Sequence, residues 1–272
     1  MSFLDHARMH GLIVDHVIAD GRWHRVKTVD HPRKRNGAYA FDGHRGACQN
    51  WATMQSPATY RNGKDSEPDL AALRRQHQQE KKDRTEQYLQ AGLQAARMIG
   101  SAALSTHPYL AAKGFPGELG FVLDGELLIP MRDHRRYEQL VGCQRITAEG
   151  GKKFVSGQRA KGAVYRLGPL RGERWLCEGY ATGLSLHAAL ADLRRHAQVI
   201  VCFSAGNLIH VAQFVWLPTF VMADNDESRA GEEAAIKTGL PWVMPPTLGE
   251  DANDMQQRHG LRALVKTILG VG

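Results

Sequence analysis

After Gly172 the chain settles into an alternation that few folds can accommodate. RWLCEGY (174–180) is a short apolar run, and ATGLSLHAALADLRRH (181–196) is an amphipathic helix pattern. QVIVCF (198–203), FVMADND (220–226) and PWVMPP (241–246) are further apolar runs. Helical patterns follow each: a short one around Leu208–Phe214, then ESRAGEEAAIKTG closed by Gly239, then one terminal helix over NDMQQRHGLRALVKTIL. Near-continuous apolar strands alternating with helices predict a parallel or mixed sheet covered on both faces.

The carboxylates fall at telling places in that pattern. In such a sheet ligands bind outside the carboxyl ends of the strands. Glu178 ends one strand, Asp224 and Asp226 end another, and Asp251 and Asp254 follow the last. Five acids converging on one rim repel one another unless a hard divalent cation such as Mg²⁺ sits among their oxygens. Asp and Asn at these positions also suit helix capping, a role open to Asn225, Asp226 and Ser228.

The order of motifs extends the argument. HPYLAAKGF, LLIPMRD, VGCQRI, KKFVSG, AKGAVYRLG, CEGYATGLSL, SAGNL, MADND and DANDM together resemble the catalytic region of Toprim-domain DNA primases of the phage and plasmid conjugal-transfer type. Those proteins are related to the catalytic core of bacterial replicative primases. The resemblance covers roughly residues 105–260. It implies an α/β Toprim fold, a Rossmann-like sheet covered by helices, preceded by a small basic strand-rich subdomain. It gives Glu178 the role of metal ligand or general acid/base, makes Asp224 and Asp226 the metal-binding pair, and adds Asp251 and Asp254 as later acidic positions. Replicative primases carry an aspartate four residues after the glutamate, where this chain has Thr182. The cofactor so implied is Mg²⁺, with Mn²⁺ as an alternative. The implied partners are a single-stranded DNA template, NTPs and a separate replicative helicase, since the chain has no P-loop motif of its own.

Phosphoryl transfer needs cations as well as a metal. Arg145, Lys152, Lys153, Lys161 and Arg166 precede the acids, and their matches in primases line a groove facing the metal. Asn207 in SAGNL is a nucleotide-binding candidate or a helix cap. A net charge of +7 favours a polyanionic partner.

Four segments follow from composition: a basic β-rich module (1–64), a helical connector (65–104), the basic strand-rich subdomain (105–172) and the Toprim region (173–272). Residues 1–64 hold ten Lys/Arg against five Asp, with turn signals between short β-like pieces. Arg33, Lys34 and Arg35 lie among Trp23, Tyr39, Phe41 and Trp51, a mixture suited to single strands, whose bases stack on rings, and equally to a small β core. The spacing of His24, His31, His44 and Cys48 fits no standard finger, so no zinc is expected. The connector reads as one long, mostly solvated helix from about Ser66 to Ile99, with Gly100 as its stop.

Four scattered cysteines without a C-x-x-C pair point to reduced thiols in a cytosolic compartment, which the resemblance implies is the cytoplasm of a bacterial host, and no apolar run is long enough to span a membrane. The first reading is thus a DNA primase, a DNA-directed RNA polymerase making short primers. Its alternatives are a Toprim-type metal-dependent nuclease and a non-catalytic single-strand-binding replication accessory protein.

Overall fold

The computed structural model describes residues 1–62, 70–216 and 218–271, with the backbone alone for residues 70–74. The chain divides into two compact units, Met1–Arg74 and Arg75–Gly272. The first domain boundary expected at 64/65, and the expected helix start near Ser66, lie outside the described residues.

The first unit begins with a short helix, α1 (Phe3–Met9), which the charged N-terminal sequence did not suggest. Its start is a capping box between Ser2 and Asp5. Five strands follow: β1 (Leu12–Ile13), β2 (His24–Thr28), β3 (Gly37–Phe41), β4 (Arg45–Asn50) and β5 (Ala58–Arg61). They form one antiparallel sheet in sequence order, the arrangement its turn signals predict. Phe3, Ala7, Leu12, Val14, Tyr39, Cys48 and Tyr60 form its core. Phe3 stacks on Phe41 at 4.5 Å between ring centroids.

The second unit is entered through α2 (Leu70–Ser101). Gly100 does not stop this helix. The helix is mostly solvated, as expected, but Ala91 and Ala95 are buried against Leu128, Cys143 and Val155. There follow β6 (Ala103–Ser105), α3 (Pro108–Ala112), β7 (Gly120–Leu123), β8 (Glu126–Asp133), β9 (Leu140–Ile146), β10 (Lys152–Phe154) and β11 (Ala163–Leu167). Then come β12 (Glu173–Cys177), α4 (Tyr180–Asp192), β13 (Ala197–Val201), α5 (Ala205–Ala212), β14 (Thr219–Met222), α6 (Ala230–Thr238), β15 (Trp242–Val243), α7 (Ala252–His259) and α8 (Leu261–Leu269). The expected single terminal helix is therefore two. Gly260 separates them at φ 81°, ψ 163°, a conformation that only glycine adopts without strain.

One mixed sheet runs in the order β10-β9-β8-β11-β13-β12-β14-β15, with β7 beside β8 and β6 beside β7. The strand-rich region expected at 105–172 thus shares its sheet with the region after Gly172, joined where β11 meets β13 antiparallel. From β13 to β15 all pairings are parallel. Period-two alternation splits the core between the two faces. Trp175, Cys177, Val199, Val201 and Met222 pack with residues of α4, α7 and α8. Leu176, Ile200, Val221 and Ala223 pack with residues of α5 and α6. The chain leaves β12 for β13 on one side and returns to β14 on the other, so the crevice at their carboxyl ends is a topological switch point.

Candidate active site

Glu178 lies one residue beyond β12, and Asp224 two beyond β14, on adjacent parallel strands. The loops carrying them are tied by backbone bonds. Cys202 N–H donates to Cys177 O at 2.9 Å, and Phe203 N–H donates to Glu178 O at 2.8 Å, with Phe203 in the left-handed region at φ 66°. Asn225 bridges to Glu250: its N–H donates to Glu250 O at 3.0 Å, and its carbonyl accepts from Gly249 N–H at 2.6 Å. Its side-chain amide also donates to Pro245 O at 2.9 Å. Asn225 therefore fastens the Asp224–Asp226 loop to the one carrying Asp251, a role that capping propensity did not reveal.

Electrostatics show which acids face one another. Burial, then the charges of Asp251, Glu178 and Asp226, push the Asp224 carboxyl up to about 7, and Lys152 acts against them. Burial and Asp226 likewise raise Glu178, opposed by Lys152 and by the Ala205 backbone N–H that its carboxylate accepts. Among the described residues, Asp224 Oδ1 is buried without a hydrogen-bond partner. Such an atom in a ring of like charges is a place where positive charge is missing.

Asp226 and Asp254 differ. Asp226 accepts from Ser228 Oγ–H, from Ala230 N–H at 3.2 Å and from Gly231 N–H at 3.0 Å, so it caps α6 while facing the cluster. These bonds hold its carboxyl below the usual range. Gly231 is what lets α6 come so close, since a Cβ there would lie 2.2 Å from the Asp224 carbonyl. Asp251 and Asp254 form the capping box of α7, and Asp254 also pairs with Lys113 Nζ at 3.8 Å. The expected five-acid rim thus resolves into Glu178, Asp224, Asp226 and Asp251, with Asp254 held to one side. Among the described residues these acids do not bring three ligand oxygens within 4.8 Å of one another. The donor set nonetheless fits a hard divalent cation: all oxygen, mutually repelling, with one partnerless buried atom.

The basic residues do not gather as one set. Lys152 acts on the acids. Arg145 faces Lys153 across β9 and β10 but is paired with Glu126. Lys161 acts on His210 together with Arg135 and Arg159. Arg166 donates to His134 O, lies 4.3 Å from the Tyr137 ring centroid, and lines a separate cavity of about 620 Å³ with Arg135, Arg174 and Trp216. Asn207 is neither cap nor open ligand. Ser204 caps α5, while the buried Asn207 amide accepts from Gly162 N–H at 2.6 Å and donates to Ala163 O and Cys202 O, each at 2.8 Å.

Sequence reasoning missed some neighbours. Tyr109 of α3 feels Asp251, which with burial pushes its phenol up to about 12. Asn253 donates to Lys113 O and Gln257 to Ala112 O, so the HPYLAAKGF segment holds α7. Phe154, 45% exposed, lies edge-to-face with Phe203 at 6.5 Å, two residues from Lys152. Thr182 is buried, with a hydroxyl that has no partner.

In the first unit, Tyr39 is core, whereas Trp23 and Trp51 are 53% and 43% exposed. Arg25 covers the Trp51 ring at 4.2 Å, and Arg33, Lys34 and Arg35 are exposed in the β2–β3 connection.

Among solved structures, the primase fragment of the bacteriophage T7 primase-helicase protein is similar at 17% identity and a TM-score of 0.46, over 62% of this chain and 77% of that one. A primase-containing chain of a bacteriophage T7 lagging-strand DNA polymerase assembly, bound to an RNA/DNA hybrid and dTTP, matches at 15% identity and 0.45, over 64% and 96%. The DnaG catalytic core matches at 16% and 0.37, over 54% and 52%. A comparison with protein families matches the stretch from β12 into α8, the part of the chain that carries all five acids. Residues 173–262 match the Toprim domain.

Proposed function

We propose that this chain is a primase-type nucleotidyltransferase that makes short primers on single-stranded DNA for phage or plasmid replication. The observation that carries the reading is Asp224: a buried carboxylate oxygen without a partner, ringed by Glu178, Asp226 and Asp251, at the switch point of a Toprim sheet. Glu178, Asp224 and Asp226, with Asp251 behind them, would hold Mg²⁺ or Mn²⁺; when bound, such a cation supplies charge neutralisation for a triphosphate and acidifies a 3′-hydroxyl. Lys152, whose charge acts on Glu178 and Asp224, would meet the phosphates of an incoming NTP. Phe154 offers an exposed ring beside it for the base. Glu178 would serve either as a ligand of that cation or, left unligated, as acceptor of the proton released by the attacking hydroxyl, the role its raised pKa suits. Lys153, Lys161 and Arg166 are assigned to the template backbone, and the Arg33–Arg35 segment with Trp23 and Trp51 to single-stranded DNA. A separate helicase in the bacterial cytoplasm would deliver that template.

The test is primer synthesis on single-stranded DNA with labelled NTPs and Mg²⁺, comparing the wild type with Asp224→Asn. Short products from the wild type, reduced at least about 10³-fold in the variant, are expected. Absence of products from the wild type, with DNA still bound, would overturn the polymerase reading. Asp224-dependent nicking would then assign the same acids to a nuclease. DNA binding alone, indifferent to Asp224, would make the chain an accessory protein.

A further inference from the structure

The first unit holds a second group of ligand-type side chains, of different chemistry. A ring nitrogen of His6, a ring nitrogen of His10 and Sγ of Cys48 all lie within 4.8 Å of one another. His6 and His10 are four apart at the end of α1, the spacing that puts two side chains on one helix face. Their ring centroids are 4.8 Å apart. Cys48 comes from the middle of β4 and is fully buried. Its thiol is inert by itself, since burial pushes it up to about 11.

The surroundings of His6 give the group its meaning. The Ala58 backbone acts on its ring, and Ala58 is the residue directly opposite Cys48 in the β4–β5 register. Among the described residues, His6 Nε2 is buried and has no hydrogen-bond partner. Tyr60 and Phe3 pack on the ring at 5.4 and 6.3 Å between centroids, so the partnerless nitrogen sits in an apolar shell. A buried polar atom left in this state asks for a ligand.

We propose that His6, His10 and Cys48 form a zinc site in the N-terminal unit. Two imidazoles and a thiolate are borderline-soft donors, which select Zn²⁺ or Co²⁺ and discriminate against Mg²⁺. Tetrahedral ligation needs donor atoms about 3.5 Å apart, a separation that atoms already within 4.8 Å of one another reach by small side-chain adjustments. The Cys48 Sγ–H bond is exchanged for Sγ–Zn²⁺ and the proton leaves to solvent. Three protein ligands leave the fourth position to water. The ion joins α1 to the sheet, a useful staple in a unit this small. The spacing is that of no zinc ribbon: the helical pair precedes the cysteine by 38 residues or more.

The test uses the full chain, stripped with chelator and titrated with Co²⁺. The expected result is a thiolate-to-Co²⁺ charge-transfer band that saturates at one equivalent, is abolished by one equivalent of Zn²⁺ and is untouched by excess Mg²⁺. His10→Gln, which removes a ligand from the less buried side, is expected to weaken the site more than about tenfold while leaving the circular dichroism spectrum unchanged. Cys48→Ser is expected to remove the band altogether. Asp224→Asn, in the other unit, is expected to leave it intact. No charge-transfer band in the wild type, or the same band with the same affinity in His10→Gln, would overturn the proposal.

Discussion

The two clusters of ligand-type residues solve opposite physical problems. The acids of the second unit are single negative charges gathered at the carboxyl ends of parallel strands, where helix N-termini and loop amides hold them. The cluster of the first unit holds no carboxylate: it is two imidazoles and a thiol, assembled from a helix face and a mid-strand position. Without a cation the first arrangement works against the fold, because the acids repel. The second costs only an unsatisfied nitrogen. A charged rim therefore advertises a hard ion that substrate can bring with it, whereas a nitrogen–sulfur group advertises a resident one.

The largest structural effect expected in the acid cluster is at Gly231. An added methyl would meet the Asp224 carbonyl at 2.2 Å, and backbone cannot step aside as a flexible side chain does. Gly231→Ala should cost about 3 kcal/mol of stability, read by chemical denaturation. It should also abolish primer synthesis by dragging α6 away from Asp224. A variant with wild-type stability would mean that α6 does not approach as closely as described.

Much of the second unit was legible in the sequence because its signals are local. Strands β12, β13 and β14 are apolar runs, their acids fall just past the ends, and Gly239 closes α6 in the left-handed region at φ 69°. What stayed hidden depends on pairing between remote segments. Nothing periodic announces that Asn225 bridges to Glu250, or that Asn207 clamps Gly162 and Ala163 to Cys202. The same holds for Cys48. Among sequence neighbours it was set beside His24, His31 and His44, but β4 brings it instead to His6 and His10 on a helix whose charges had masked it. His24 pairs with Asp20.

Next in size is the stability of the cation-free protein. Folding raises the Asp224 carboxyl from 3.8 to about 7. Between those values the folded state binds more protons than the unfolded one, so stability falls as pH rises from about 4 to about 7 and is level above that. Asp224→Asn removes the penalty. We expect it to stabilise the chelator-treated protein by about 2 kcal/mol at pH 8 and to give no gain near pH 4. Saturating Mg²⁺ should narrow the difference, because the wild type alone regains a counter-charge. Equal gains at both pH values would show that shape, and not charge, is responsible.

Asp133 sharpens the contrast, because it is a carboxylate at a strand end that has its counterion. It is 7% exposed. Burial alone would raise its pKa, but the Arg159 guanidinium and the N–H groups of Arg135 and Arg136 outweigh that and lower it to about 2. Here the sign reverses. The unfolded state binds the proton first, so the contribution is complete above about pH 4 and is lost as pH falls toward 2. Its size is about 1–2 kcal/mol. Acid titration of stability should therefore show the wild type losing this increment between pH 4 and 2, while Asp133→Asn, less stable at neutral pH, loses less over the same interval. Two strand-end aspartates in one sheet would then respond to pH in opposite directions, according to whether the chain itself supplies the positive charge.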